Sequence, residues 1–191
     1  MNKPEKELAH SFNVILSSEI SQKLGNEQDK LVEKIREQRN YDSSPHLSIA
    51  TKFMPESQTE AFKAALLKEF RNDISWNLEF AGFSISTGKN YLFLNLSNDS
   101  RQKLFELHER AFTATENIGN KGQGGLPPKY TYDPHISLIK LLPEDSDAAL
   151  KLVGDDFAAI KMRILSYEIT RQEDTENGFS NFPVLERINL K

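Results

Sequence analysis

The 191-residue chain contains no cysteine. Disulfide frameworks and thiolate metal sites are therefore excluded. No stretch approaches the roughly 20 apolar residues of a membrane-spanning helix. Met1 to Ala9 is charged and lacks the apolar run of a signal peptide. A soluble, cytoplasmic protein is the expectation, with no membrane partner. A basic surplus is missing as well: 24 Lys and Arg stand against 28 Asp and Glu, for a formal net charge of −4. Proteins that clamp a long duplex by neutralising its phosphates usually show the opposite balance. A nucleic-acid partner should accordingly be a nucleotide or an RNA end. A monomer is expected.

What is present suffices for a buried core, since 38% of the residues are hydrophobic. One domain over residues 1–191, built as two lobes, fits that length. Phe12 to Leu16 reads as a strand. Ser17 or Ser18 can cap a helix up to Gly25, and Asn26 to Gln38 has helical spacing. A strand starts at His46. Glu56 to Phe70 is an amphipathic helix with Phe62, Ala65, Leu66 and Phe70 on one face. Ser75 to Thr87 and Tyr91 to Leu96 read as strands joined by a turn at Gly88-Lys89-Asn90. A helix capped by Asp99 or Ser100 runs to about Thr115. Asn117 to Lys129 is rich in Gly and Pro and reads as a loop; it lacks the Gly-Lys-Ser/Thr ending of a phosphate loop. Tyr130 to Leu142 is a strand, Asp145 to Phe157 a helix, and Ile160 to Arg171 and Val184 to Leu190 are strands. Two blocks, about 46–96 and 130–190, thus share the order strand–helix–strand–strand. Adjacent strands after each helix favour antiparallel sheets and an α+β class.

One phrase occupies the same place in both blocks. The first has Pro45-His46-Leu47-Ser48-Ile49, the second Pro134-His135-Ile136-Ser137-Leu138. At average residue usage a given histidine would carry such neighbours roughly once in ten thousand. Two of the four histidines do, which makes coincidence untenable. Side chains alternate along a strand. His46 and Ser48 therefore share one face, as do His135 and Ser137, while the aliphatic residues fill the other. If the blocks pack about a pseudo-twofold axis, the two polar faces meet in a cleft. One imidazole could then take a proton from an attacking oxygen while the other gives one to a leaving oxygen. The hydroxyls could hold the non-bridging oxygens of a phosphodiester. Neither motif holds an acidic residue, so the pair is a poor metal set, and no metal or cofactor is expected. His10 and His108 lack the motif. His108 lies among charges in a helix and reads as solvated. Tyr132 is a candidate for stacking on a base, although alternation puts it opposite His135 unless the strand bulges at Pro134.

The paired His-x-Ser-aliphatic motifs resemble the two-histidine (2H) phosphoesterase superfamily. Within it the chain is similar to the branch of 2′-5′ RNA ligases and RNA 2′,3′-cyclic phosphodiesterases. The resemblance spans the chain in element order and is firm in residues at the two motifs. It implies an α+β fold of two pseudo-symmetric lobes, with antiparallel sheets flanking a central cleft and helices outside. It also implies a phosphodiesterase acting on nucleoside or RNA 2′,3′-cyclic phosphates, with 2′-5′ hydrolysis or ligation as the related activities. By resemblance His46 protonates the leaving oxygen, His135 activates water, and Ser48 and Ser137 bind phosphate. A basic residue often follows the second motif where Lys140 stands, which implies substrate binding. Strand alternation nonetheless puts Lys140 on the face away from His135. The family's Phe-Leu-Gly continuation of the first motif is replaced here by Thr51-Lys52-Phe53. A non-catalytic binder of phosphorylated RNA ends is the reading from another class.

Overall fold

The structure, a computed structural model, describes residues 5–35, 45–86, 91–119, 132–153, 157, 160–174 and 180–191. The elements in chain order are β1 (Glu7–Val14), α1 (Ser18–Ile35), β2 (Leu47–Pro55), α2 (Thr59–Phe70), β3 (Trp76–Ile85), β4 (Tyr91–Leu96), α3 (Asn98–Ala114), β5 (Ile136–Lys140), α4 (Ser146–Leu152), β6 (Lys161–Ile164), β7 (Ser166–Arg171), β8 (Glu173–Asp174), β9 (Ser180–Asn181) and β10 (Val184–Asn189). Two antiparallel four-stranded sheets result, in the orders β10-β7-β1-β2 and β5-β4-β3-β6. The α+β class with helices outside two sheets is thus the observed architecture.

Each motif strand is an edge strand, and each pairs outside its own block. β2 joins β1, and β7 and β10 extend that sheet from the second block. β5 joins the β3–β4 hairpin of the first block. Helices α2 and α3 cover the apolar face of the first sheet; α1 and α4 cover that of the second. The helices do so because their apolar residues recur at helical spacing: Phe62, Leu66 and Phe70 in α2, and Leu104, Leu107, His108 and Ala111 in α3, are buried. Phe12, Phe70 and Tyr167 pack ring on ring beneath the first sheet. Burying side chains of this size contributes on the order of 2–3 kcal/mol each.

Several boundaries differ from the sequence reading. Gly25 does not break α1, which runs through it, because Leu24 and Leu31 on either side are both fully buried. Ser97, not Asp99 or Ser100, caps α3, its hydroxyl accepting from the Ser100 amide. The segment 160–171 is two strands rather than one. Leu165 lies between β6 and β7, which enter different sheets, and its side chain is exposed. Around the second motif the ladder holds only Ile136–Lys140, and α4 stops at Leu152. The turn at 88–90 and the loop from 120 to 129 lie outside the described residues.

Candidate active site

The chemistry of the two motif strands depends on a shared irregularity. In β2 the register with β1 runs Phe12↔Ala50 and then Asn13↔Ser48, so Ile49 is an extra residue. In β5 it runs Leu92↔Ile139 and then Phe93↔Ser137, so Leu138 is extra. Both are β-bulges, and both fall one residue past the motif serine. Ile49 and Ala50 are consecutively buried, as are Leu138 and Ile139. A regular strand would have turned the second of each pair outward.

The bulge corrects the placement of Lys140. Directly opposed residues of an antiparallel pair share a face. Ser137 opposes Phe93, and Lys140 opposes Tyr91. Tyr91 and Phe93 share a face and stack, with ring centroids 6.0 Å apart. Lys140 therefore shares the polar face with Ser137, and its side chain is exposed there. Simple alternation put it on the other side because one residue of the strand does not count in the ladder.

His135 precedes β5, with its ring stacked on Phe93 at 3.7 Å between centroids. Its Nδ1 donates to the carbonyl of Asp133 at 2.6 Å. That fixes the tautomer and leaves the lone pair on Nε2. Burial lowers its pKa below the ordinary value, and the positive charges of Arg101 and His46 act in the same direction. The carbonyl bond and the Asp133 carboxylate oppose them. Arg101, at the start of α3, is itself paired with Asp133 at 2.8 Å. His135 is thus held as a neutral imidazole, the form a general base requires.

His46 precedes β2 and is exposed. Its charge bears on both His135 and Glu168. Glu168 belongs to a polar row crossing the first sheet: Ser48 opposes Asn13, Asn13 opposes Glu168, and Glu168 opposes Arg187. Ser48 Oγ donates to Asn13 Oδ1 at 2.9 Å, and Asn13 Nδ2 donates to Thr170 Oγ1 at 3.2 Å. Burial raises the pKa of Glu168, against the pull of Arg187 and His46. The Glu168 carboxylate thus feels the charge of His46, and the His135 imidazole feels the guanidinium of Arg101.

The structure therefore brings His46, Ser48, His135, Ser137 and Lys140 to the polar faces of two neighbouring edge strands. Tyr132, the candidate for stacking on a base, is held among packed side chains. Its ring lies flat against His108 at 4.1 Å and edge-on to Phe105 at 5.5 Å. Its hydroxyl donates to the Ser48 carbonyl at 2.9 Å. His108 is likewise not solvated: it is 4% exposed and its Nδ1 donates to the Ile49 carbonyl at 2.7 Å. The sequence signal was available, since 104, 107, 108 and 111 follow helical spacing; the flanking charges obscured it. His10 is buried away from the motifs, bonded to Thr59 and the Leu8 carbonyl. Asn13, Phe93, Arg101 and Glu168 were not singled out from sequence. Asn13 and Phe93 could have been, as the outward members of alternating strands; nothing local marks Arg101. Among the described residues no group of three or more His, Asp or Glu is disposed to hold a metal ion.

Residues 22–176 match the family model of the 2′-5′ RNA ligase superfamily. No curated protein matches by sequence. Solved structures are similar in fold. Escherichia coli LigT in apo form aligns with a TM-score of 0.69 at 13% identity, over 97% of this chain and 99% of that one. LigT complexed with 3′-AMP gives 0.69 at 14%, over the same shares of the two chains. Kluyveromyces marxianus Usb1 gives 0.57 at 15% identity, over 98% of this chain and 100% of that one.

Proposed function

Since the chain belongs to the 2′-5′ RNA ligase superfamily of two-histidine phosphoesterases, we propose that it opens nucleoside or RNA 2′,3′-cyclic phosphates by general acid/base catalysis without a metal. The observation that carries this reading is the pair of His-x-Ser motifs on two bulged edge strands, with His135 Nδ1 donating to the Asp133 carbonyl so that Nε2 is left to act as a base. Burial lowers the pKa of His135, and the charges of Arg101 and His46 act in the same direction.

In the proposed reaction, His135 Nε2 takes a proton from water as the water oxygen attacks phosphorus. The bond from phosphorus to one ribose oxygen breaks, and His46 delivers its proton to that oxygen. The product is a phosphomonoester, and the two histidines end in exchanged protonation states. Ser137 donates to a non-bridging oxygen, where charge develops, and Ser48 does so once its hydroxyl rotates from Asn13 Oδ1 to the substrate. Lys140 adds a positive charge on the same face, available to a flanking phosphate. The family description and the nucleotide complex of LigT are compatible with a second reading, in which the same groups cleave or join a 2′-5′ linkage.

A screen of cyclic mononucleotides, short RNAs with cyclic ends and 2′-5′ oligomers, with products identified, tests the proposal. Turnover of a cyclic phosphate to a monoester is expected. Binding of every substrate with turnover of none would leave a non-catalytic binder. The division of labour is read with a p-nitrophenyl phosphodiester, whose leaving group needs no proton. His46→Ala should be rescued on it and His135→Ala should not.

A further inference from the structure

Resting on the two-histidine reading above, we infer that Tyr132 is a positioning residue that sets the gap between the two imidazoles. β2 and β5 are edge strands of different sheets, and no strand pairing joins them among the described residues. Backbone hydrogen bonds hold each motif firmly within its own sheet. They do not fix the distance between the sheets at this edge. That distance falls to side chains, and the Tyr132 hydroxyl spans it by donating to the Ser48 carbonyl at 2.9 Å. Tyr132 stands just before Asp133-Pro134-His135, and Ser48 just after His46-Leu47. The path from one histidine to the other through this bond is therefore short.

Every part of that path is stiffened. The Tyr132 ring is parallel to His108 within 6°, with centroids 4.1 Å apart. Phe105 meets its edge at 87°. His108 Nδ1 donates to the carbonyl of Ile49, the residue after Ser48, at 2.7 Å. The stacked pair thus grips two successive carbonyls at the β2 bulge, where the ladder is interrupted. Beyond Tyr132, the Asp133 carboxylate is held by Arg101, and its carbonyl accepts from His135 Nδ1. Pro134 restricts its own φ. A displacement of the tyrosine hydroxyl is therefore passed to His135 rather than absorbed between them. Acid and base must each come within about 3 Å of their oxygens, and a misplacement of about 1 Å can cost roughly a hundredfold in rate.

Tyr132→Phe keeps the ring and its stacking and deletes the one donor. On adenosine 2′,3′-cyclic phosphate it should lower kcat by about 10- to 100-fold and leave KM within about threefold. The pH–rate curve should also change shape, because the coupling of the two imidazoles depends on their separation. Without substrate, NMR titration of the imidazoles should show the His46 and His135 curves displaced and that of His10 unmoved. Ile188→Val, a modest core loss under the first sheet, should lower thermal stability and leave kcat and all the titrations as they are. Unmoved His46 and His135 curves with wild-type kcat in Tyr132→Phe would overturn the inference. So would an equal loss of kcat in Ile188→Val. If the wild-type protein does not turn over the probe, the hydrolase reading fails, and the titrations alone decide the role of Tyr132. Should Tyr132→Phe not fold, Phe105→Leu loosens the seat of the same ring and is judged by the same titrations.

Discussion

Arg101→Gln should move the acid limb of the pH–rate profile to higher pH. Arg101 is paired with the Asp133 carboxylate, and the carbonyl of the same residue holds His135 Nδ1. The guanidinium and the imidazole are thus linked through a single residue, Asp133. Its charge disfavours the imidazolium of His135. The glutamine keeps length and polarity and removes the charge, leaving the Asp133 carboxylate unopposed. Both changes raise the pKa of His135. The magnitude follows from Coulomb attenuation. The Arg101 side chain is 33% exposed and that of Asp133 60%, so the dielectric is close to that of water. In such a medium unit charges about 7 Å apart interact by roughly 0.6 kcal/mol, or about 0.4 pKa units, which sets the scale of the shift. A base with a raised pKa is neutral only from a higher pH upward, so activity on the acid side should fall. The assay is kcat/KM against pH, which reports the unliganded enzyme. High salt should shrink the effect, since exposed charges are screened over a Debye length of about 8–10 Å. An acid limb that stays in place, or moves to lower pH, would refute the assignment of His135 as the base shaped by Arg101.

Replacing His46 or His135 with Ala should each lower turnover by roughly 10²–10⁴-fold, and the double variant should lose less than the product, as steady-state kinetics would show. Asn13→Ala removes the acceptor of the Ser48 hydroxyl; about a tenfold loss of kcat/KM is expected, with a smaller further loss on adding Ser48→Ala than in the wild-type background. Burial lowers the pKa of His10, His108 and His135 in the folded state. The unfolded chain therefore takes up protons below about pH 6.5 that the folded chain does not, so stability should be full above that pH and decline beneath it. Thermal melts at stepped pH measure this, and His108→Gln should flatten the decline. Activity should survive EDTA; a loss restored by added zinc, magnesium or manganese would point to a metallo-hydrolase instead.

The motif pair was legible from sequence because strand alternation is a local rule: His-x-Ser puts an imidazole and a hydroxyl on one face whatever the rest of the chain does. The helices were legible for the same reason, through the spacing of residues such as Phe62, Leu66 and Phe70. The sheets were not. The repeat order suggested two blocks, yet β2 and β5 each pair outside their own block, since strand pairing is chosen between segments distant in sequence. Where a ladder admits an extra residue is likewise decided by the partner strand. The bulge at Leu138 is what returns Lys140 to the face of Ser137. Tyr132 read as a candidate for stacking on a base, because only the tertiary structure could reveal that His108 stacks on its ring and the Ser48 carbonyl takes its hydroxyl. Residue chemistry and local periodicity thus determined which groups could react. The burial, the neighbouring charges and the register around His135 arise only when segments far apart in the chain are brought together.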